Sequence, residues 1–226
     1  MGTLQPNRRR QYDSSGRRAR AAQTRGHVVR VAHELFVANG YAATTIANIA
    51  TAAQVSQPTV YGAFGSKAGL LKVCIDVALA GDTDDLAVAD RPLARWVDDT
   101  DDPRELLGRY ATMMGTLGHR AAPIYDVLVR AADAESELAD LLGDLERQRY
   151  RAAGRIADAV AARQALPTGR TVQEARDTIW VLNAPELYTT LTHKRGWSRR
   201  QYVSWARNSL VQLILEPPIP GTPPRP

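Results

Sequence analysis

Thr44-Thr45-Ile46-Ala47-Asn48-Ile49-Ala50-Thr51-Ala52-Ala53-Gln54-Val55-Ser56-Gln57-Pro58-Thr59-Val60-Tyr61 is the stretch whose reading decides the fold. Ile46, Ile49, Ala50 and Ala53 recur at helical spacing and make one short apolar face. Thr44 or Thr45 can cap that helix by accepting a hydrogen bond from a free backbone N–H. Gln54-Val55 breaks the period. Ser56 can cap a second helix, and Pro58 is tolerated in its first turn, where a missing N–H costs nothing. Val60 and Phe64 turn the second helix back onto the first. Two short helices joined by a tight turn, over about residues 44–63, read as a helix-turn-helix.

Outward from this motif, Val28, Val29, Ala32, Leu35 and Phe36 lie at i, i+1, i+4, i+7 and i+8, the stripe of a preceding helix over 24–39. Asn39-Gly40 tolerates the left-handed conformation that ends it. Ser66 caps a further helix through Lys67 and Leu70. The run Ala32, Leu35-Phe36, Gly40-Tyr41, Thr44-Thr45, Ile49-Ala50, Ala53, Val55-Ser56, Thr59-Val60-Tyr61, Phe64, Ser66-Lys67, Leu70 resembles, in order and spacing, the DNA-binding domain of the TetR family of bacterial repressors. Four positions depart from that pattern. Gln54 stands where the family usually has the glycine of the turn, which demands a strained or altered geometry. Pro58, Gly62 and Ala68 replace a common glycine, a polar residue and an acidic residue.

Helix three, about 56–62, is expected in the major groove. Gln57 can pair with adenine, Thr59 can meet a phosphate or a thymine methyl, and Pro58 offers apolar contact. Arg25, with Thr24, sits where the start of helix one can meet a phosphate. The resemblance implies that Thr45, Tyr61 and Lys67 hold phosphates. The expected DNA-facing set is Arg25, Thr44, Thr45, Ser56, Gln57, Pro58, Thr59, Tyr61 and Lys67. Capping alone also accounts for Thr45 and Ser56, and packing for Tyr61.

The charge distribution agrees with this. Residues 1–72 carry ten Lys/Arg against Asp13 and Glu34, a net +8, and the remainder nineteen against twenty-two, a net −3, summing to +5. A basic part that coincides with the helix-turn-helix is the electrostatic footprint of phosphate binding. Cys74 is the only cysteine, so no internal disulfide forms, which fits a reducing cytoplasm. Beside Leu70, Leu71 and Val77, it reads as a buried structural thiol, with a redox sensor as the alternative. Neither a secretory signal nor a membrane span is expected. Long helical periods without alternating strand runs make the class all-α.

In chain order, residues 1–23 form an arginine-rich arm expected to be disordered. It either follows phosphates or merely solubilises. Residues 24–71 are the three-helix head and 72–215 a larger helical body. A helix over 67–80 links them, and the resemblance implies that it moves with ligand. The acidic run Asp98, Asp99, Asp101 and Asp102 reads as a solvated linker, because no histidine and no calcium-loop spacing accompanies it. Asp102-Pro103 starts a helix to about 117, Pro123 another, and Ser136 a long one to about Arg163. The arginines at 147, 149, 151 and 155 read as a solvated face paired with Asp144, Glu146 and Asp158, with a nucleic-acid stripe as the alternative. Thr171-Val172-Gln173-Glu174 and Ser198-Arg199-Arg200-Gln201 are capping boxes. Pro185 kinks or restarts the helix between them. The stretch Asn183-Ala184-Pro185-Glu186-Leu187-Tyr188 to Arg195-Gly196-Trp197-Ser198 and Tyr202 resembles the C-terminal pattern of a TetR subgroup. Residues 216–226 hold six prolines and read as an extended tail.

One short recognition helix gives modest affinity, and dimerisation supplies two heads at fixed spacing. The resemblance implies a homodimer through a four-helix bundle, with Ile179, Tyr202, Trp205, Ser209, Leu210 and Leu213 at the interface. The alternative is that these faces pack within one subunit. Tyr110, Met113, Met114, Leu117, His119, Tyr125, Trp180, Asn183 and Tyr188 are candidates to line an apolar cavity with polar tips, suited to a small, mainly hydrophobic effector. The four histidines are scattered, and no nucleophile, zinc or phosphate-loop pattern appears, so no catalytic residue, metal or cofactor is expected. The expected protein is a cytoplasmic, ligand-responsive, homodimeric repressor binding double-stranded DNA, without membrane contact. Two alternatives are a helical small-molecule-binding protein and a non-specific nucleic-acid binder using its arm.

Overall fold

A helix seeded by packing can extend into solvent wherever its residues favour it, and the first element does so. The structure, a computed structural model, describes residues 14–81 and 99–217. Its first helix, α1, spans Ser14–Ala43 and begins ten residues before the expected Thr24. The segment 14–23 of the expected disordered arm is therefore helical. Arg18, Ala19, Arg20, Ala21 and Ala22 are strong helix formers, and extending a helix already anchored at Val28 and Val29 needs no new nucleus. Residues 1–13 of that arm lie outside the described residues. Near its C-terminal end the helix is kinked at Gly40, whose φ of 78° is the left-handed conformation that Asn39-Gly40 foreshadows.

Helix α2 (Ile46–Ala52) and α3 (Gln57–Phe64) form the helix-turn-helix, capped by Thr45 and Ser56 through their side chains. The turn between them passes through Gln54 at φ 55°, the left-handed conformation expected of a non-glycine at this place. Gln54→Gly should therefore stabilise the protein by about 0.5–1 kcal/mol, the relief of left-handed strain less glycine's backbone entropy. Thermal unfolding should show a rise of about 1–3 °C. An unchanged or lower midpoint would mean the turn is unstrained.

Helix α4 (Lys67–Ala80), capped by Ser66, matches the expected bounds. Val28, Ala32, Phe36, Ile49, Val60, Leu70 and Leu71 close the head's core. That core does not stop at residue 71. It continues through Cys74 and Ile75 into Ile124 and Leu128 of α5 (Pro103–Ala132) and Leu138 of α6 (Ser136–Ala162).

A second core is built from Leu106, Leu107, Met114, Ile156, Val160, Ile179, Tyr202 and Leu210. Its further helices are α7 (Val172–Leu182), α8 (Pro185–Thr189) and α9 (Arg199–Leu215), with a π-helical turn at Thr190–Lys194 after α8. Both capping boxes, at Thr171 and Ser198, are formed. Pro185 restarts the chain, with Asn183 closing α7. The described residues contain nine α-helices and no strand.

Two expected helices, 103–117 and the one from Pro123, are one continuous helix. Pro123 removes one internal hydrogen bond, and the residue whose carbonyl loses it, His119, is exposed, so water can take its place. Ile124 and Leu128 bury themselves in the head-side core while Leu106 and Tyr110 bury themselves in the other. One helix serving two cores offsets the lost bond. Asp98 and the rest of the linker over 82–98 lie outside the described residues, as does the tail from 218 onward. No described helix is long and apolar enough to cross a membrane.

Cys74 is buried, with its thiol 3.5 Å from the Val29 carbonyl, and burial pushes its pKa up to about 12. Burial likewise raises Tyr110, Tyr125 and Tyr202. The unfolded chain therefore gives up these protons first, and stability is lost as pH rises above about 9. A urea midpoint lower at alkaline than at neutral pH is expected. Native Cys74 should react with a thiol reagent no faster than the protein unfolds.

Candidate nucleic-acid interface and body

Capping sets what α3 can offer. Ser56 accepts the Thr59 amide at 3.3 Å, and its hydroxyl lies 2.8 Å from the Thr59 hydroxyl. Val60 anchors the inner face in the core, so Gln57, Pro58, Thr59 and Tyr61 are presented outward. Tyr61 is 51% exposed although large and aromatic. Its phenol O–H stands in solvent, where it can donate to an oxygen of a partner. Thr45 is exposed at the start of α2, and its hydroxyl accepts the Asn48 amide at 3.1 Å. Helix α3 thus protrudes with one amide side chain, two hydroxyls and a proline ring on its outer surface.

Thr44 requires a correction. It is 1% exposed, and its hydroxyl is directed at the Gly40 and Leu35 carbonyls at 2.8 and 3.2 Å. Thr44 thus ties the start of α2 back onto the kinked end of α1. The cap of α2 is Thr45 alone, and Thr44 is not available to DNA.

Two expected phosphate contacts also have intramolecular partners. Arg25 donates to the Ala63 carbonyl at 2.5 Å and lies 4.5 Å from the centre of the Phe64 ring, tying α1 to the C-terminal end of α3. It stays exposed. Lys67 donates to the Tyr41 carbonyl at 3.0 Å, and its ammonium lies 3.8 Å from the centre of the Tyr41 ring. An ammonium has three donors, so an anion can still share it.

Tyr41 also connects head and body. Its hydroxyl donates to Glu135 at 2.9 Å, and Ser66 donates to Glu137 at 3.4 Å, both at the entry to α6. Burial, reinforced by the Glu135 carboxylate, pushes the phenol's pKa up and keeps it a donor. At the other end of α4, Arg120 donates to the Leu79 carbonyl at 3.1 Å. The linking helix is thus held at both ends by body residues. The sequence offered no signal for this, since the Tyr41–Glu135 pair spans 94 positions.

In the body, Tyr110, Met114, Tyr125 and Tyr188 are buried, while Met113, Leu117, Trp180 and Asn183 are half-buried. They divide between the two cores, Tyr125 in the head-side core and Tyr110, Met114 and Tyr188 in the other. Tyr188 packs edge-on to Tyr202 at 4.8 Å, and Asn183 closes α7. Tyr125 donates to Glu146, which pairs with Arg149 at 2.6 Å. Arg149 turns inward, donating to the Trp180 carbonyl at 2.6 Å and lying 5.0 Å from the centre of its ring. It therefore departs from the solvated face expected of the α6 arginines. Arg147 does pair with Asp144, at 2.5 Å.

The expected interface set also divides. Ile179, Tyr202 and Leu210 are buried within the chain, because α7 and α9 turn those faces into their own core. Trp205 and Ser209 are half-buried, and Leu213 is exposed. Val181, unforeseen from periodicity, is the most exposed large hydrophobic residue described, at 54%. No group of metal-ligating side chains occurs among the described residues.

Residues 28–74, from α1 through α4, match the model of a family described as bacterial regulatory proteins, tetR family. Solved structures resemble the whole body plan. NalD, described as the secondary repressor of the MexAB-OprM multidrug efflux pump in Pseudomonas aeruginosa, aligns with a TM-score of 0.66 at 18% identity, covering 87% of this chain and 98% of that one. The fatty acid degradation regulator FadR from Bacillus halodurans aligns at 0.67 and 16% identity, over 84% and 94%. FadR from Bacillus subtilis, solved in complex with stearoyl-CoA, aligns at 0.65 and 18% identity, over 83% and 96%. Identities this low speak for the fold. No curated protein matches the sequence significantly.

Proposed function

We propose that this chain, which belongs to the tetR family of bacterial regulatory proteins, is a homodimeric transcriptional repressor released from its operator by a small, mainly hydrophobic effector. The observation that carries the reading is the outward face of α3. Gln57, Pro58, Thr59 and Tyr61 stand in solvent on a helix whose inner face is fixed by Val60. A short, rigid, protruding helix on a basic head fits the major groove. Gln57 reads adenine, while Tyr61, Thr45 and the remaining donors of Lys67 and Arg25 hold phosphates.

For the effector, the body offers an aromatic and methionine cluster bordered by irregular backbone. Asn183, Pro185, the π-helical turn at 190–194 and Gly196 at φ 72° follow one another beside Tyr188. π-turns inside helical regions often mark functional sites. Loosening this segment makes room next to Met113, Met114 and Leu117. Movement of α5 and α6 then reaches α4 through Arg120 and the head through Glu135, changing the spacing of two heads.

The test is binding of the full chain to duplex from immediately upstream of its gene, against a scrambled duplex, at near-physiological salt. A preference of roughly a thousandfold or more is expected, the low end of specific recognition. Gln57→Ala should remove about 1–3 kcal/mol of that discrimination. Tyr61→Phe should weaken both duplexes alike. Equal weak binding to both, followed by an empty genome-wide selection of bound fragments, would sink the repressor reading and leave an electrostatic binder.

A further inference from the structure

We propose that the groove between α5 and α9, at the end of the body remote from the head, binds a small molecule carrying two or more phosphate groups. The groove measures about 540 Å³, within the range of small-molecule sites. Gly108 and Thr112 of α5 and Val203 of α9 line it, and Arg199, Arg200 and Arg207 of α9 supply three positive charges. It contains no carboxylate. The acids nearest to it in sequence are already engaged: Glu105 with Arg109 at 2.7 Å, and Glu216 with Arg104 at 3.8 Å.

The arginines are arranged rather than scattered. Arg199 is splinted to the α5 wall by a 2.6 Å hydrogen bond to Thr116. Arg207 lies down across Gly108, where a Cβ would stand 3.2 Å from its Nε. Arg200 and Arg207 have no hydrogen bond or ion pair among the described residues. Three guanidiniums brought to one groove repel one another, and an anion converts that cost into binding. Guanidinium forks match phosphate oxygens two at a time. Arg200 and Arg207 are two turns apart, about 10 Å along α9, so linked phosphates suit the row better than one.

Two placements separate this site from the DNA reading. Gly108 lies about 25 Å along α5 from Tyr125, where that helix packs on the head. The groove also occupies the side of α9 turned away from Trp205, at 100° per residue. The inference is therefore independent of the operator and of the dimer.

Pyrophosphate titrated into the full chain by calorimetry, at fixed ionic strength, tests it. One saturable site per chain is expected, with orthophosphate at least about tenfold weaker. Arg200→Ala/Arg207→Ala should weaken pyrophosphate about tenfold or more, the loss of charge-assisted hydrogen bonds. These side chains are exposed, and thermal unfolding of the variant confirms its fold. Arg25→Ala/Lys67→Ala in the basic head should leave binding unchanged. The proposal fails if binding does not saturate, if orthophosphate binds equally, or if the head variant weakens binding as much as the groove variant.

Discussion

Val181→Asp/Leu213→Asp is expected to lower affinity for a duplex with two half-sites by about 10²–10⁴-fold, the loss of effective concentration when two heads are uncoupled. These are the exposed large hydrophobics of α7 and α9, at 54% and 45%. On α9, half-buried Ser209 and Trp205 lie about one and two turns before Leu213 on the same side. A second copy related by a two-fold axis would cover this face. Aspartates there place four carboxylates in a dry contact, and each must be desolvated without a partner. Neither residue belongs to the buried core, so folding should survive. Sedimentation should show a monomer, and affinity for a single half-site should be unchanged. A variant that still sediments as a dimer and holds the two-site duplex would move the interface elsewhere.

Phe36→Ala is expected to cost about 3–5 kcal/mol, a large part of the roughly 5–15 kcal/mol that holds a domain folded. Phe36 is fully buried and stacks on Tyr41 with ring centres 5.8 Å apart. Its core runs without interruption from α1 through α4 into α5 and α6. All four tryptophans, Trp96, Trp180, Trp197 and Trp205, follow the head in sequence. Fluorescence therefore reports the body, while circular dichroism reports every helix. With a shared core, both urea midpoints should fall together. A fluorescence midpoint that stays put while the dichroism midpoint falls would show the head unfolding by itself.

The helix-turn-helix was legible because its signals are local. Thr45, Ser56 and Ser66 cap neighbouring amides, and the left-handed turn at Gln54 follows from the missing glycine. The capping boxes at Thr171 and Ser198 were legible for the same reason. Each joins atoms three residues apart, so sequence spacing is sufficient to specify it.

Burial and long-range pairing were decided elsewhere. Periodicity says that Ile179, Tyr202 and Leu210 lie on an apolar face, and only packing says that the face turns inward. Thr44 and Thr45 are alike in sequence. The kink at Gly40 buries the first and leaves the second exposed. Pro123 and Gly118 argue for a helix break, yet α5 runs through both. The Tyr188 ring occupies the space a Gly118 Cβ would fill, 2.5 Å from its nearest atom, and Ile124 is held in the head-side core. The amino-acid order by itself determined the helices, their caps and the basic reading head, because these rest on contacts within one or two turns. Tertiary structure alone decided which apolar faces remain exposed, how Glu135 grips the head and Arg120 the linking helix, and where Arg199, Arg200 and Arg207 converge. Those depend on elements brought together across tens of residues, a separation that spacing along the chain does not encode.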